Sequence, residues 1–339
     1  MRKLSIIALF AVFGAVSACT QPSDAPNVMA APVQQASVAV PGNSTPLPNL
    51  QQLTYKVGPF SLPAGQKATT MWEAPGAINF KVDDPLWLIS FRPSIEDVSG
   101  RELPDRLLNL AVLTNGGEKN PLCTEKEVSN PFFAATAVTK SIELPDGQGY
   151  AVLPGDSLDA KVILQNPTTQ DFGEVYFKFT ITAMPMKNAK NYKDVQPLLL
   201  NVDPCDYYPL SVAPKEFVKK VVQFTVPTDG YLSKAYGLLQ DYGVKVSLTE
   251  DGQPTPFWES QAELTSDHKI EGLAPFEDPA GIPLKAGDEL SLEVAYDNQG
   301  DDWQSSATGA VMAYIARIEN DESPAKAMPA VSAQTKLLK

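Results

Sequence analysis

The chain has 339 residues, a formal charge of -13, 43% hydrophobic and 20% charged residues, and a single histidine. This length and composition describe a globular protein with room for two ordinary domains, not a disordered chain. The acidic balance repels phosphate backbones and argues against nucleic acid as a partner.

In chain order, Arg2 and Lys3 precede an apolar run from Leu4 to Val16, at about 13 residues too short to span a bilayer. Val16-Ser17-Ala18-Cys19 follows. A positive start, an apolar middle and small residues before a cut predict an export signal over 1–18. The Cys directly after the small residues resembles the bacterial lipobox, with Val16 in place of the more usual Leu. That resemblance implies cleavage before Cys19 and lipidation of its thiol. Two acyl signals on one residue give stable anchoring. Thr20, where an Asp would retain a lipoprotein at the inner membrane, implies the outer membrane. The alternative is a plain secretory signal beside an ordinary Cys. The expected partners are therefore the membrane, through its lipid, and an envelope protein.

Residues 19–52 are rich in Pro, Ala, Gln, Ser and Asn with almost no charge, the composition of a flexible tether. Short strands are then expected. Ile78 to Val82 alternates only briefly. Leu86 to Phe91, Leu108 to Leu113, Leu158 to Leu164 and Val175 to Ala183 are better. In the last, Val175, Phe177, Phe179 and Ile181 share one face and Lys178, Thr180 and Thr182 the other. Pro145-Asp146-Gly147, Pro154-Gly155-Asp156 and Asn166-Pro167 punctuate the runs as turns.

A Pro- and Tyr-rich seam near 205–217 divides the chain. Beyond it, strands are expected from Lys219 to Val226, Tyr231 to Leu239, Gly243 to Thr249, Glu289 to Tyr296 and Gly309 to Ile318. Pro227-Thr228-Asp229-Gly230 is read as a turn and Asp251-Gly252 as a hairpin tip. The pattern predicts an all-β chain of two tandem antiparallel jelly-roll sandwiches, over 53–210 and 211–319, with a disordered tail over 320–339. With Cys19 lipidated, Cys123 and Cys205 remain, and in an oxidising compartment they are expected to pair. Two buried free thiols are the alternative.

One segment carries a more specific signal. Ala235-Tyr236-Gly237-Leu238-Leu239-Gln240-Asp241-Tyr242-Gly243-Val244 resembles a stretch of the copper type II, ascorbate-dependent monooxygenases, the peptidylglycine alpha-hydroxylating monooxygenase kind. The family holds one copper in each of two jelly rolls. In its second domain His-x-His precedes Asp and Gly, and a Met sits on a late strand. Period 2 puts both imidazoles on one strand face, where they can share a metal. The resemblance implies that Leu238 and Gln240 stand at the histidine positions and Met312 at the thioether position. In the first domain it implies Asn109 and Leu110 at a His-His pair and Ile163 near a third histidine. Leu144 to Asp156 and Leu198 to Cys205 are further family-like pieces. One histidine cannot supply several imidazoles, so copper chemistry is expected to be lost and no cofactor is expected.

Other chemistry is weaker. His268, in Ser266-Asp267-His268-Lys269, reads as a solvated loop residue rather than a base or ligand. Met184 and Met186 offer a soft-metal site with Met312, against a core role for Met312. Asp297, Asp301 and Asp302 read as a solvated hairpin tip rather than a calcium loop. Trp87, Trp258 and Trp303 are candidates to line a sugar or peptide site; Trp87 reads as core and Trp303, after the acidic loop, as the one to find exposed. The function expected is a non-catalytic envelope binding or scaffold lipoprotein, a pseudoenzyme on a monooxygenase-like fold. A copper-dependent oxidoreductase or a carboxylate-based hydrolase is the alternative.

Overall fold

The computed structural model describes residues 50–69, 76–189, 191–205 and 209–318. The expected signal peptide, Cys19, nearly all of the tether and the tail lie outside the described residues.

The first half contributes β1 (Gln51–Leu62), β2 (Gly76–Lys81), β3 (Leu86–Asp97), β4 (Leu108–Lys119) and β5 (Ser129–Ala135). It continues with β6 (Ile142–Glu143), β7 (Gln148–Val152), β8 (Ser157–Leu164), β9 (Phe172–Pro185) and β10 (Lys193–Asn201). The second half opens with β11 (Leu210–Val212), β12 (Glu216–Thr225), β13 (Gly230–Leu238), β14 (Gly243–Glu250) and β15 (Trp258–Gln261). It closes with β16 (Glu263–Leu264), β17 (Ile270–Gly272), β18 (Phe276–Leu284), β19 (Glu289–Asn298), β20 (Gln304–Ala307) and β21 (Ala310–Arg317). The fold is all-β, two antiparallel jelly-roll sandwiches. Among the described residues the helical pieces are two 3-10 turns, Asp105–Leu107 and Met186–Asn188.

The two sandwiches share one sheet. A nine-stranded sheet runs β1-β9-β3-β7-β10-β21-β13-β18, with β6 beside β3. The sheet β2-β8-β4-β5 closes the first sandwich and β12-β19-β14-β15 closes the second. β10, which precedes the expected boundary at 210, pairs with β21 from Val195↔Ala316 to Asn201↔Ala310. Its contact with β7 is parallel and short, Lys193↔Gln148 and Asp194↔Gly149.

Strand periodicity explains how the shared strands serve two cores. Successive side chains of a strand point to opposite faces. On β21, Ala310, Met312 and Tyr314 join the first core while Val311, Ala313 and Ile315 join the second. On β10, Val195 and Leu199 face one cluster and Leu198 and Leu200 the other. A strand buried on both faces carries no polar alternation, and β21 is accordingly without charge from Ala310 to Ala316, its one charged residue being the partly exposed terminal Arg317. Cys123 and Cys205 form a disulfide across 82 residues, tying a first-half loop to the segment that follows β10.

Candidate functional site

The positions singled out for copper come together, but as packing. On β4, Leu110 lies opposite Ile163 of β8, and both belong to the first core. Asn109 is buried, and its Nδ2 donates to Gln165 Oε1 at 3.2 Å. In the second half, Leu238 of β13 and Met312 of β21 are fully buried in that same first core. Gln240 follows the end of β13. Its Nε2 donates to the Asn109 carbonyl at 3.2 Å and to Thr308 Oγ1 at 2.8 Å, while its Oε1 accepts from Thr308 N. The Tyr296 hydroxyl donates to Thr308 O at 2.6 Å and accepts from Gln240 N at 3.1 Å. These residues do not fit a copper centre. Leu110, Ile163 and Leu238 have no donor atom, the two carboxamides are engaged with one another's surroundings, and Met312 is a lone thioether.

The same seam holds the halves together. Arg106 Nη2 meets Asp241 Oδ2 at 2.6 Å, and Asp241 Oδ1 accepts from Ile270 N at 3.0 Å. The Tyr236 hydroxyl donates to Ala134 O at 3.0 Å and the Tyr314 hydroxyl to Phe132 O at 2.9 Å. Burial pushes both phenols well above their usual pKa, so both remain donors. Ser233 Oγ donates to Gln148 Oε1 at 2.7 Å.

A half-open cavity of about 460 Å³ lies elsewhere, on the first sandwich. Trp87, Pro85, Pro185, Met186 and Ala189 supply its apolar wall. Asp84, Gln51 and Lys187 supply the polar groups. Trp87 is therefore not core: it is half-buried, while its neighbours Leu86 and Leu88 on β3 are buried. Alternation along β3 turns it to the other face, a signal already present in the Leu-Trp-Leu order. Its Nε1 donates to Ala189 O at 3.2 Å, and its ring stacks on Tyr192 at 6.2 Å with 27° between planes. Gly149 passes so close that a Cβ there would sit 2.9 Å from Trp87 Cβ. Sequence reasoning missed Asp84, Gln51, Lys187 and Tyr192, which are spread over β1, the loop before β3 and the segment after β9.

The remaining candidates disperse. Met184 on β9 and Met312 on β21 are separated by four strand spacings, about 19 Å, too far to share an ion. Met186 lines the cavity instead. His268 is half-buried rather than freely solvated: it sits at φ 58° in a turn, stacks on Tyr242 at 5.9 Å, and its carbonyl accepts from Tyr242 N. In the acidic tip, Asp301 pairs with Lys215 at 3.0 Å and Asp297 Oδ1 accepts from Gln299. Asn298 organises this loop by donating to Val212, Ala213 and Asp302 carbonyls. Among the described residues no group of three or more His, Cys, Asp or Glu is placed to hold a metal ion. Trp258 is buried in the second core, and Trp303 is 58% exposed.

No protein-family model and no curated protein matches the chain. Solved structures of similar shape include PBCV-1 VP54 fitted into the virophage Sputnik, at 8% identity and TM-score 0.27, covering 82% of this chain and 95% of that one. The triple jelly roll of an archaeal virus is 9% identical at TM-score 0.19, covering 78% and 60%. The T=1 particle of Penaeus vannamei nodavirus is 12% identical at TM-score 0.23, covering 78% and 99%. Overlaps this low say nothing about what the chain does.

Proposed function

We propose that this chain is a lipid-anchored outer-membrane protein that binds without turnover, built on a scaffold like that of the copper type II monooxygenases but without their chemistry. The reading is carried by one observation: Gln240, at a second-domain ligand position, is hydrogen bonded to the backbone of Asn109, at a first-domain ligand position. A copper centre needs open coordination sites, and a closed contact between the halves at these positions supports the reading that none is built there. Leu110, Ile163, Leu238 and Met312 fill the adjoining space as hydrocarbon and thioether. The anchor rests on the lipobox-like Val16-Ser17-Ala18-Cys19. What supports the scaffold role is a body whose two cores share β10, β21 and β13, preceded by a stretch of tether-like composition.

Two measurements test the reading. Labelling cells with a fatty acid is expected to mark the wild-type chain and not Cys19→Ser, and equal labelling would remove the anchor. Affinity capture from solubilised outer membrane is expected to recover a stoichiometric envelope protein with the wild-type chain. Recovery of the chain alone would count against the scaffold role.

A further inference from the structure

We propose that the Trp87 cavity binds a short uncharged oligosaccharide, two hexose or N-acetylhexosamine units in size. Four observations lead there. First, the wall is an apolar surface built around an indole, and the C–H face of a pyranose packs against such a ring. Second, the indole is fixed before any ligand arrives. The Ala189 carbonyl holds its N–H, Tyr192 stacks on its ring, and Gly149 lacks the side chain that would displace it. A fixed ring lowers the entropic cost of binding. Third, the polar groups are one carboxylate, Asp84, one carboxamide, Gln51, and one ammonium, Lys187. They offer acceptors and donors together, which suits hydroxyls that both donate and accept. Their charges cancel, so the rim gives no preference to an ion. Fourth, the volume of about 460 Å³ lies in the range of small-ligand pockets. The chain's charge of -13 further disfavours acidic sugars and nucleotides.

The cavity shares no residue with the Asn109–Gln240 seam, so the inference extends the binding reading without depending on that seam or on lipidation. The test uses the full mature chain in a detergent without a sugar headgroup. Cellobiose, maltose and N,N′-diacetylchitobiose are titrated by calorimetry and by ligand-observed NMR. At least one is expected to bind, with Trp87→Ala weakening it by about tenfold or more and Trp303→Ala leaving it unchanged. Asp84→Ala, which leaves the indole in place, is expected to weaken it as well and covers the case in which Trp87→Ala does not fold. Binding of none of the three into the millimolar range overturns the proposal, as does equal binding by all variants. Preferential binding of a zwitterionic dipeptide such as Gly-Gly also overturns it, in favour of a peptide site. Cleavage of the bound disaccharide would uphold the cavity and overturn the non-catalytic reading instead, so the two failures are distinguishable.

Discussion

Glu96 is a buried carboxylate paired with two lysines. It lies on β3 with 1% exposure, between Lys56 of β1 and Lys178 of β9, with Lys178 Nζ at 2.7 Å. Burial works to raise its pKa, and the hydrogen bonds from Lys178 and Lys56 more than offset this, so the carboxyl is held below its usual value. A depressed carboxylate contributes stability that is present above its unfolded pKa and is lost as pH falls through the folded one. Glu96→Gln is therefore expected to cost about 1–2 kcal/mol at neutral pH, discounted for two lysines that are a third exposed. The deficit should shrink in acid, as pH falls below the ordinary carboxylate range and wild-type Glu96 protonates. Urea unfolding at both pH values checks this, and a pH-independent deficit would contradict it. At the seam, Tyr236→Phe leaves the buried Ala134 carbonyl without its donor and is expected to cost about 1–3 kcal/mol. An unchanged unfolding midpoint would show the bond to be dispensable. The scarcity of histidine was plain from composition alone. The Asn109–Gln240 bond was not, because it joins residues 131 apart that local periodicity cannot relate.

At the scale of elements, strands with one wet face were the easiest to read. β9 alternates as expected, and its observed span of Phe172–Pro185 merely extends the Val175 to Ala183 run. β10 escaped notice for a physical reason. Val195 to Leu200 is buried on both faces, so it shows no alternation, and it contains Pro197, which argues against a central strand. The ladder with β7 stops at Asp194, and that gap accommodates the proline. The turn at Pro227 to Gly230 was legible, but its glycine serves closeness rather than a left-handed bend. A Cβ on Gly230 would sit 2.4 Å from Ile315 Cγ2 and 2.5 Å from the Ala316 carbonyl oxygen. Gly230→Ala must push β13 from β21 and is expected to cost about 1–3 kcal/mol. A thermal melt equal to wild type would mean that the strands adjust freely.

For the whole molecule, the shared sheet makes the two sandwiches one body, because β10, β21 and β13 each contribute to both cores. The jelly-roll class was readable from strand spacing and turns. The sharing was not, since nothing local says that the strand before the expected boundary pairs with the last one. The disulfide was readable from cysteine arithmetic. Closing 82 residues, it is expected to contribute about 2–4 kcal/mol, mostly by restricting the unfolded chain. The double variant Cys123→Ser, Cys205→Ser should unfold at correspondingly lower urea, and an unchanged midpoint would refute that contribution.

The proposal of binding without copper chemistry requires that Asn109, Leu110, Ile163, Leu238, Gln240 and Met312 hold no metal. Copper content of the purified mature chain, measured after incubation with excess Cu(II) and exhaustive dialysis, addresses this most directly. Well under one equivalent is the predicted result. One or two equivalents retained, with ascorbate-dependent oxidation of a substrate, would contradict it.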